Sequence, residues 1–268
     1  MANDARLIER YEAKYRIPVH LVAPIRKAAL AVCDPDSANK GGRYVISSLY
    51  LDTRKRRLYR ETLDMAPRRF KLRVRRYATG DRCFLEVKRR IKGVISKLRV
   101  PIPLSAWPGV VLDPRVAAGL ELSTRDRRNL DEFVWRCISL GAEPTTVVRY
   151  EREAYISRVE SYARVTFDWR IRGRAPSGWA VSVRPEDGPW IPVDAPRRFS
   201  LEESGVVLEL KAETAVPLWM TDIVRRFSLK RSGFSKYASC LEAVEPLRTT
   251  RVPELRVPSR RLFAQGRV

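Results

Sequence analysis

Two short stretches, Cys83-Phe84-Leu85-Glu86-Val87-Lys88 and Val206-Val207-Leu208-Glu209-Leu210-Lys211, decide how this chain folds. Each is an apolar run interrupted by a glutamate and, two residues later, a lysine. In an extended strand residues i and i+2 point to the same face. Glu86 and Lys88 therefore share one face, as do Glu209 and Lys211, while Leu85 and Val87, or Leu208 and Leu210, occupy the other. A charged face backed by an apolar one suits a barrel with a polar lumen and a hydrophobic outer layer. In such a lumen carboxylates can hold a divalent metal and lysines can hold phosphate.

The same period of two recurs along the chain. In Phe70–Tyr77 the residues Lys71, Arg73 and Arg75 face one way and Phe70, Leu72 and Val74 the other. The turn at Thr79-Gly80-Asp81 joins this strand to the first glutamate–lysine strand as a hairpin. After a turn at Lys92-Gly93, Val94–Ile102 repeats the pattern with Lys97 and Arg99 on one face. Earlier, Arg10–Ile17 sets Glu12, Lys14 and Arg16 opposite Tyr11, Ala13, Tyr15 and Ile17. Later, Thr145–Ile156 aligns Tyr150 with Arg152, and Arg164–Asp168 aligns Arg164, Thr166 and Asp168. Like charges on neighbouring strands repel. Their repetition makes sense if an anion fills the space between them.

Helical stretches fall between these strands. Val22–Val32 is Ala-rich and is expected to stop near Asp34-Pro35. Asp52 or Thr53 can cap a short helix carrying Leu58 and Tyr59. A helix beginning at Thr124 or Asp126 carries Leu130, Phe133, Val134, Cys137 and Ile138 as an apolar stripe and ends at Gly141. Pro217–Leu229 is amphipathic, with Leu218, Ile223, Val224 and Phe227. A final short helix runs to Val244. Gly41-Gly42 reads as a turn, and 173–204 as an excursion with one short strand. The reading gives one domain over 8–246, then a basic tail over 247–268.

Lysine and arginine number 53 against 31 acidic residues, a net charge of +22 on 268 residues, which calls for a polyanionic partner. Cys33, Cys83, Cys137 and Cys240 are too widely spaced for a zinc or redox motif. They are expected to be buried thiols, and His20, the single histidine, to sit in a loop. No apolar run approaches the roughly 20 residues of a membrane span. The charged N-terminus lacks a signal-peptide pattern, so a cytoplasmic location is expected.

The ordered set Arg10-Tyr-Glu-x-Lys14-Tyr15, Leu49-Tyr-Leu-Asp-Thr53, Tyr59-Arg60, Lys71-x-Arg73-x-Arg75-x-Tyr77, Phe84-Leu-Glu86-Val-Lys88, Lys97-x-Arg99, Tyr150-x-Arg152, Arg164-Val-Thr-Phe-Asp168, Leu208-Glu209-Leu-Lys211 and Phe234-Ser235-Lys236-Tyr237 resembles the catalytic domain of the vacuolar transporter chaperone (VTC) polyphosphate polymerases, within the triphosphate tunnel (CYTH-like) superfamily. The resemblance implies an α+β fold in which an antiparallel barrel forms a basic tunnel, with helices outside. It implies ATP and polyphosphate or triphosphate as ligands and Mn2+ or Mg2+ as cofactor. Carried over residue by residue, it implies phosphate contact or catalysis by Lys14, Arg60, Lys71, Arg73, Arg75, Lys88, Lys97, Arg99, Tyr150, Arg152, Arg164, Lys211, Ser235 and Lys236. Glu209, and with it Glu86, would be the metal-binding carboxylates. Glu209→Gln is then expected to remove turnover with modest loss of stability. Gly233 stands where the family has a lysine, for which Lys230 or Arg231 would have to substitute. Arg90 stands where eukaryotic members have a histidine.

The lead expectation is an ATP-dependent polyphosphate polymerase. An inorganic triphosphatase and a non-catalytic polyphosphate-binding module are the alternatives. A nucleic-acid binder would explain the charge through backbone contacts, but not its alternation with apolar residues, so no nucleic-acid partner is expected.

Overall fold

The computed structural model describes residues 10–245 apart from 40, 41, 79, 93, 161, 182, 183, 185–187, 203, 204 and 214. The expected basic tail, 247–268, and the turn residues Gly41, Thr79 and Gly93 lie outside the described residues.

Among the described residues ten strands form one sheet in which every paired neighbour is antiparallel. They are β1 (Arg10–Pro18), β2 (Cys33–Pro35), β3 (Tyr44–Asp52), β4 (Arg68–Tyr77), β5 (Arg82–Ile91), β6 (Val94–Pro103), β7 (Glu143–Ser157), β8 (Arg164–Arg174), β9 (Ile191–Pro192) and β10 (Gly205–Glu213). The main path runs β1-β10-β8-β7-β3-β4-β5-β6, with β2 added beside β7 and β9 beside β8. The described helices are α1 (Val22–Leu30), α2 (Arg57–Leu63), α3 (Gly109–Leu112), α4 (Pro114–Ala118), α5 (Thr124–Leu140), α6 (Pro196–Phe199), α7 (Leu218–Arg226) and α8 (Lys236–Val244).

The expected barrel is a curled sheet rather than a hydrogen-bonded ring. Strands β1 and β6 stand at the two ends of the path and do not pair. Side chains bridge the gap instead: Lys88 Nζ on β5 donates to Glu12 Oε2 on β1 at 2.7 Å. Alternation sorts the two faces as the sequence implies. Against the convex face, α1 and α7 cover Ala13, Tyr15, Ile17, Val165, Phe167, Leu208 and Leu210. A second outer core packs Leu72, Val74, Leu85, Val87, Val100 and Ile102 under Leu58 of α2 and Leu130, Phe133 and Cys137 of α5. Removing these side chains from water is the main force holding sheet and helices together, at about 1.5–3 kcal/mol for each fully buried large aliphatic residue.

Helix α8 behaves differently. It packs against Ile46, Tyr50, Val148, Tyr150 and Val207 through Tyr237, Cys240 and Leu241. Tyr150 and Tyr50 also line the cavity inside the curl, so α8 sits on the concave side. Tyr237 stacks on Tyr50 with ring centroids 4.7 Å apart. Gly173 permits this approach: a Cβ there would lie 2.7 Å from Cys240 Cβ.

Local signals explain most element ends. Ser123 Oγ accepts the amide of Asp126 to cap α5, and Gly141 ends it in the left-handed region at φ 55°. Asp52, fully buried, accepts the amides of Leu58 and Tyr59 at the start of α2 and the Tyr237 hydroxyl at 2.6 Å. All four cysteines are buried free thiols, and His20 sits in a short turn over Val19–Leu21. Three expectations need correction. Helix α1 stops at Leu30 because Cys33–Pro35 pairs with Tyr155–Ser157 of β7. Ile138 is 63% exposed, on the outer side of α5. Leu218 is 83% exposed, and α7 is held instead by Met220 and Ile223. No helix among the described residues is long and apolar enough to cross a membrane.

Candidate active site

The concave face encloses a cavity of about 310 Å³. Eight strands contribute to it, seven through charged side chains and β3 through Tyr44, Ile46 and Tyr50, and α8 adds Lys236 and Tyr237. Of the residues expected at the site, Lys14, Lys71, Arg73, Arg75, Lys88, Lys97, Arg99, Tyr150, Arg152, Arg164, Glu209, Lys211, Ser235 and Lys236 all line it.

Two expected residues do not. Arg60 is exposed on α2, outside the sheet. Asp52 fixes the first turn of that helix and turns Leu58 into the outer core, which leaves Arg60 facing solvent. Glu86 is buried in the wall with no exposure, behind the lining. Lys230 and Arg231 do not replace the missing lysine in the lining: both are exposed, and the Arg231 guanidinium lies 5.7 Å from the Tyr11 ring centroid at the rim.

Three carboxylate centres organise the cations. Glu86 stands opposite Arg73 on β4 and Arg99 on β6. Its oxygens meet Lys97 at 2.5 Å, Arg73 at 2.6 Å, Arg99 at 3.5 Å and Arg75 at 3.9 Å. Burial alone would raise its pKa, but Arg73, Arg75 and Lys97 outweigh burial and hold it well below the usual carboxylate range. The second centre joins Glu209 and Asp168. Glu209 meets Lys211 at 2.6 Å, Lys236 at 2.8 Å, Arg152 at 3.4 Å and Lys14 at 3.7 Å. Asp168 holds Arg152 at 2.6 Å and Lys236 at 2.5 Å. Glu209 is likewise pushed well down: burial opposes this, and Lys211, Lys236, Lys14 and Arg152 prevail. The third centre is Glu12, 2.7 Å from Lys88 and 3.5 Å from Lys14, and also held far down by its lysines against the effect of burial.

The sequence reading sets Glu12 and Asp168 on the charged faces but gives them no role in the site, where they serve as counter-charges. Their parity carried the signal. Glu12 is two residues from Lys14, and Asp168 is four from Arg164, so each shares a face with a predicted lumen cation. Aromatic rings complete the wall. Arg99 lies 3.7 Å over Phe84 and 5.7 Å from Tyr77, and Arg73 donates to the Tyr50 hydroxyl at 3.1 Å. These contacts fix guanidinium planes before any ligand arrives.

Eleven cations line the cavity beside two carboxylates, with Glu86 and Asp168 behind them. Such an array can seat a chain of phosphates: arginine forks give bidentate contacts and lysines give point charges. Among the described residues no group of three His, Cys, Asp or Glu side chains forms a ready-made metal cage. Glu12 and Glu209, however, flank the same Lys14 ammonium. An all-oxygen pair of this kind suits Mg2+ or Mn2+, which take one or two protein carboxylates together with phosphate oxygens. Glu86 does not fit that role, because four cations enclose it away from the lumen.

The family model for the VTC domain matches residues 9–245. No curated protein matches the chain. Among solved structures, a candidate adenylate cyclase from Bacillus halodurans is similar at 10% identity and TM-score 0.50, over 85% of this chain and 94% of that one. A candidate adenylyl cyclase from Hippeastrum, described as having a dominant triphosphatase activity, is 18% identical with TM-score 0.47, over 88% of this chain and 96% of that one. The Bacillus likeness extends to the fold, the curled antiparallel sheet with its outer helices.

Proposed function

The chain belongs to the VTC domain family, and from that premise we propose that its tunnel is an ATP-dependent polyphosphate polymerase, transferring the γ-phosphoryl group of ATP to the end of a polyphosphate chain. The observation that carries this reading is the lining itself. Cations follow one another along β4, β5, β6, β7, β8 and β10, and the lumen carboxylates are already engaged by them. The surplus positive charge has a linear polyanion as its natural complement.

Phosphoryl transfer asks little covalent chemistry of a protein. It asks for aligned phosphates and for positive charge where negative charge spreads in the transition state. Arg73 and Arg75, held by Glu86, and Arg152, held by Asp168, supply fixed guanidinium groups. Lys14, Lys88, Lys211 and Lys236 supply ammonium groups that can turn from their carboxylates toward phosphate oxygens. The acceptor needs no histidine base, since a terminal phosphate is already an anionic nucleophile. Glu209 and Glu12 would hold Mn2+ or Mg2+, which would supply further positive charge to offset that of the phosphates. A cytoplasmic location, where ATP is available, belongs to the same reading.

The test is to incubate pure protein with ATP and Mn2+ and to resolve the product on a polyacrylamide gel. A ladder of long polyphosphate with matching ADP supports the polymerase. Orthophosphate released from tripolyphosphate, with no ladder, replaces it with a triphosphatase. Tight polyphosphate binding with neither product leaves a binding module.

A further inference from the structure

A second cleft, of about 790 Å³, opens on the outer face of the wall, away from the tunnel. Strand parity puts it there. Arg75 of β4 lines the tunnel, so Arg76, the next residue, points the other way. Trp107 and Val181, which line the cleft, belong to the outer core. Arg76, Arg174 and Arg184 supply its charge, and no acidic side chain lines it among the described residues. In the tunnel Arg73 and Arg152 are each held by a carboxylate. Arg76 has no such partner among the described residues, and its buried Nε lacks a hydrogen-bond acceptor. Its cross-strand neighbours, Ser47 and Cys83, carry no counter-charge. Buried polar groups are nearly always partnered, so Arg76 keeps its charge for an anion from outside the chain.

The rest of the lining is mainly apolar and carries two indoles. Trp107 is fixed: its indole N–H donates to the Trp179 carbonyl at 2.7 Å, and the two rings meet edge to face with centroids 5.6 Å apart. Trp179 is only half-buried, which leaves ring surface open to the cleft. Arg174 is nearly buried, with its guanidinium carbon 5.1 Å from the Trp190 ring centroid, so its position is set before any ligand arrives. A bare inorganic anion would meet the guanidinium groups and leave the apolar surface wet. A ligand that joins a flat ring to an anionic group satisfies both parts.

We propose that this outer cleft binds a nucleotide, with its base against the Trp179 indole and its phosphate on Arg76, Arg174 and Arg184. Guanidinium forks match phosphate oxygens, and stacking on an aromatic ring gains roughly five- to a hundredfold in affinity for a base of any kind. The site is separate from the tunnel and does not depend on which reaction the tunnel performs. The two are also separable by observation, because no tryptophan lines the tunnel among the described residues.

The experiment titrates AMP into the full chain, with tryptophan emission to locate the site and calorimetry to give the affinity. AMP carries one base and one phosphate, too little to span the tunnel. The expected result is a saturable change in emission, with adenosine and orthophosphate each binding at least about fivefold more weakly than AMP. Arg76→Gln and Trp179→Ala should each weaken AMP to a similar degree. The thermal shift given by tripolyphosphate, which reads the tunnel, should be unchanged in Arg76→Gln. Should Trp179→Ala fail to fold, Arg76→Gln and the exposed Arg184→Gln still decide. Orthophosphate binding as tightly as AMP would reduce the cleft to a plain anion site and overturn the proposal. AMP binding that leaves emission unaltered and ignores Arg76→Gln would place the nucleotide elsewhere, and no AMP binding at all would remove the site; both overturn it as well. None of these outcomes touches the tunnel reading, which the tripolyphosphate shift tests separately.

Discussion

Replacing Glu86 with glutamine removes one negative charge from the centre of four positive ones and changes almost nothing else in shape. The carboxylate has no exposed surface, and its oxygens lie 2.5–3.9 Å from Lys97, Arg73, Arg99 and Arg75. Two unit charges 4 Å apart interact by about 4 kcal/mol at the effective dielectric of protein sites. Most of that is spent in desolvating the ions. Removing one partner of a buried ion pair nevertheless costs about 3–5 kcal/mol, because the remaining charges stay buried and uncompensated. In a domain of this size each kcal/mol lowers the melting temperature by roughly 2–4 °C. Glu86→Gln should therefore melt about 10 °C below the wild type in a ligand-free thermal scan. A bound polyphosphate returns negative charge to the same cations. A ligand specific for the native state adds about 2.7 kcal/mol at a hundred times its dissociation constant, so tripolyphosphate should recover much of the lost stability. A melting temperature within about 2 °C of the wild type would refute the assignment of Glu86 as the counter-charge of the wall.

Four other outcomes follow from the same geometry. Glu209→Gln should abolish metal-dependent turnover in the gel assay. It should also destabilise by about 3 kcal/mol in a denaturant titration, not modestly, since four cations surround this carboxylate too. Gly173→Ala places a methyl 2.7 Å from Cys240 Cβ and should cost about 1–3 kcal/mol by overpacking; because it lifts the helix that carries Lys236, polyphosphate affinity measured by calorimetry should fall as well. Stabilisation by phosphate, pyrophosphate, tripolyphosphate and polyphosphate should grow with chain length in a thermal-shift series, because only a chain reaches Lys14, Arg75 and Arg164 together. Without ligand, the melting temperature should rise from pH 7 to pH 9: unfolded lysines keep their protons to about 10.4, folded Lys97 and Lys88 lose theirs at about 7 and 8, so the unfolded state binds more protons in this window and rising pH favours the fold.

Much of this architecture was legible in the sequence because one physical rule, the two-residue period of a strand, governs both faces of the wall. Lys71, Arg73 and Arg75 alternate with Leu72 and Val74, and the structure turns the first set inward and the second under the helices. The closure was not legible. Nothing local tells β1 and β6 to remain unpaired, and the bridge between the sheet's two ends is made by Glu12 and Lys88, 76 residues apart. Nor was the position of Arg60 legible, since it depends on how Asp52 fixes the start of α2. Helix ends erred where a distant strand claimed the residues, as β7 claims Cys33–Pro35.

The two glutamate–lysine triplets show most clearly where sequence information ends. Written out, they are equivalent, and both glutamates were read as metal ligands. Register separates them. Glu86 falls between Arg73 and Arg99, cations on both neighbouring strands, with Lys97 closing over it. It is thereby consumed in holding the wall together. Glu209 falls between Lys14 and Thr166, and a threonine makes no claim on a carboxylate. Its closer partners, Lys211 and Lys236, are ammonium groups that a phosphate chain can draw away, and Arg152, at 3.4 Å, is held more tightly by Asp168. Two identical local patterns thus become a structural counter-charge and a candidate metal ligand through the identity of one cross-strand neighbour. A Thr166→Arg variant turns the comparison into a test: it should engage Glu209 as Arg73 and Arg99 engage Glu86. Turnover should then be lost while polyphosphate still binds, and a variant retaining full metal-dependent activity would show that register does not set the difference.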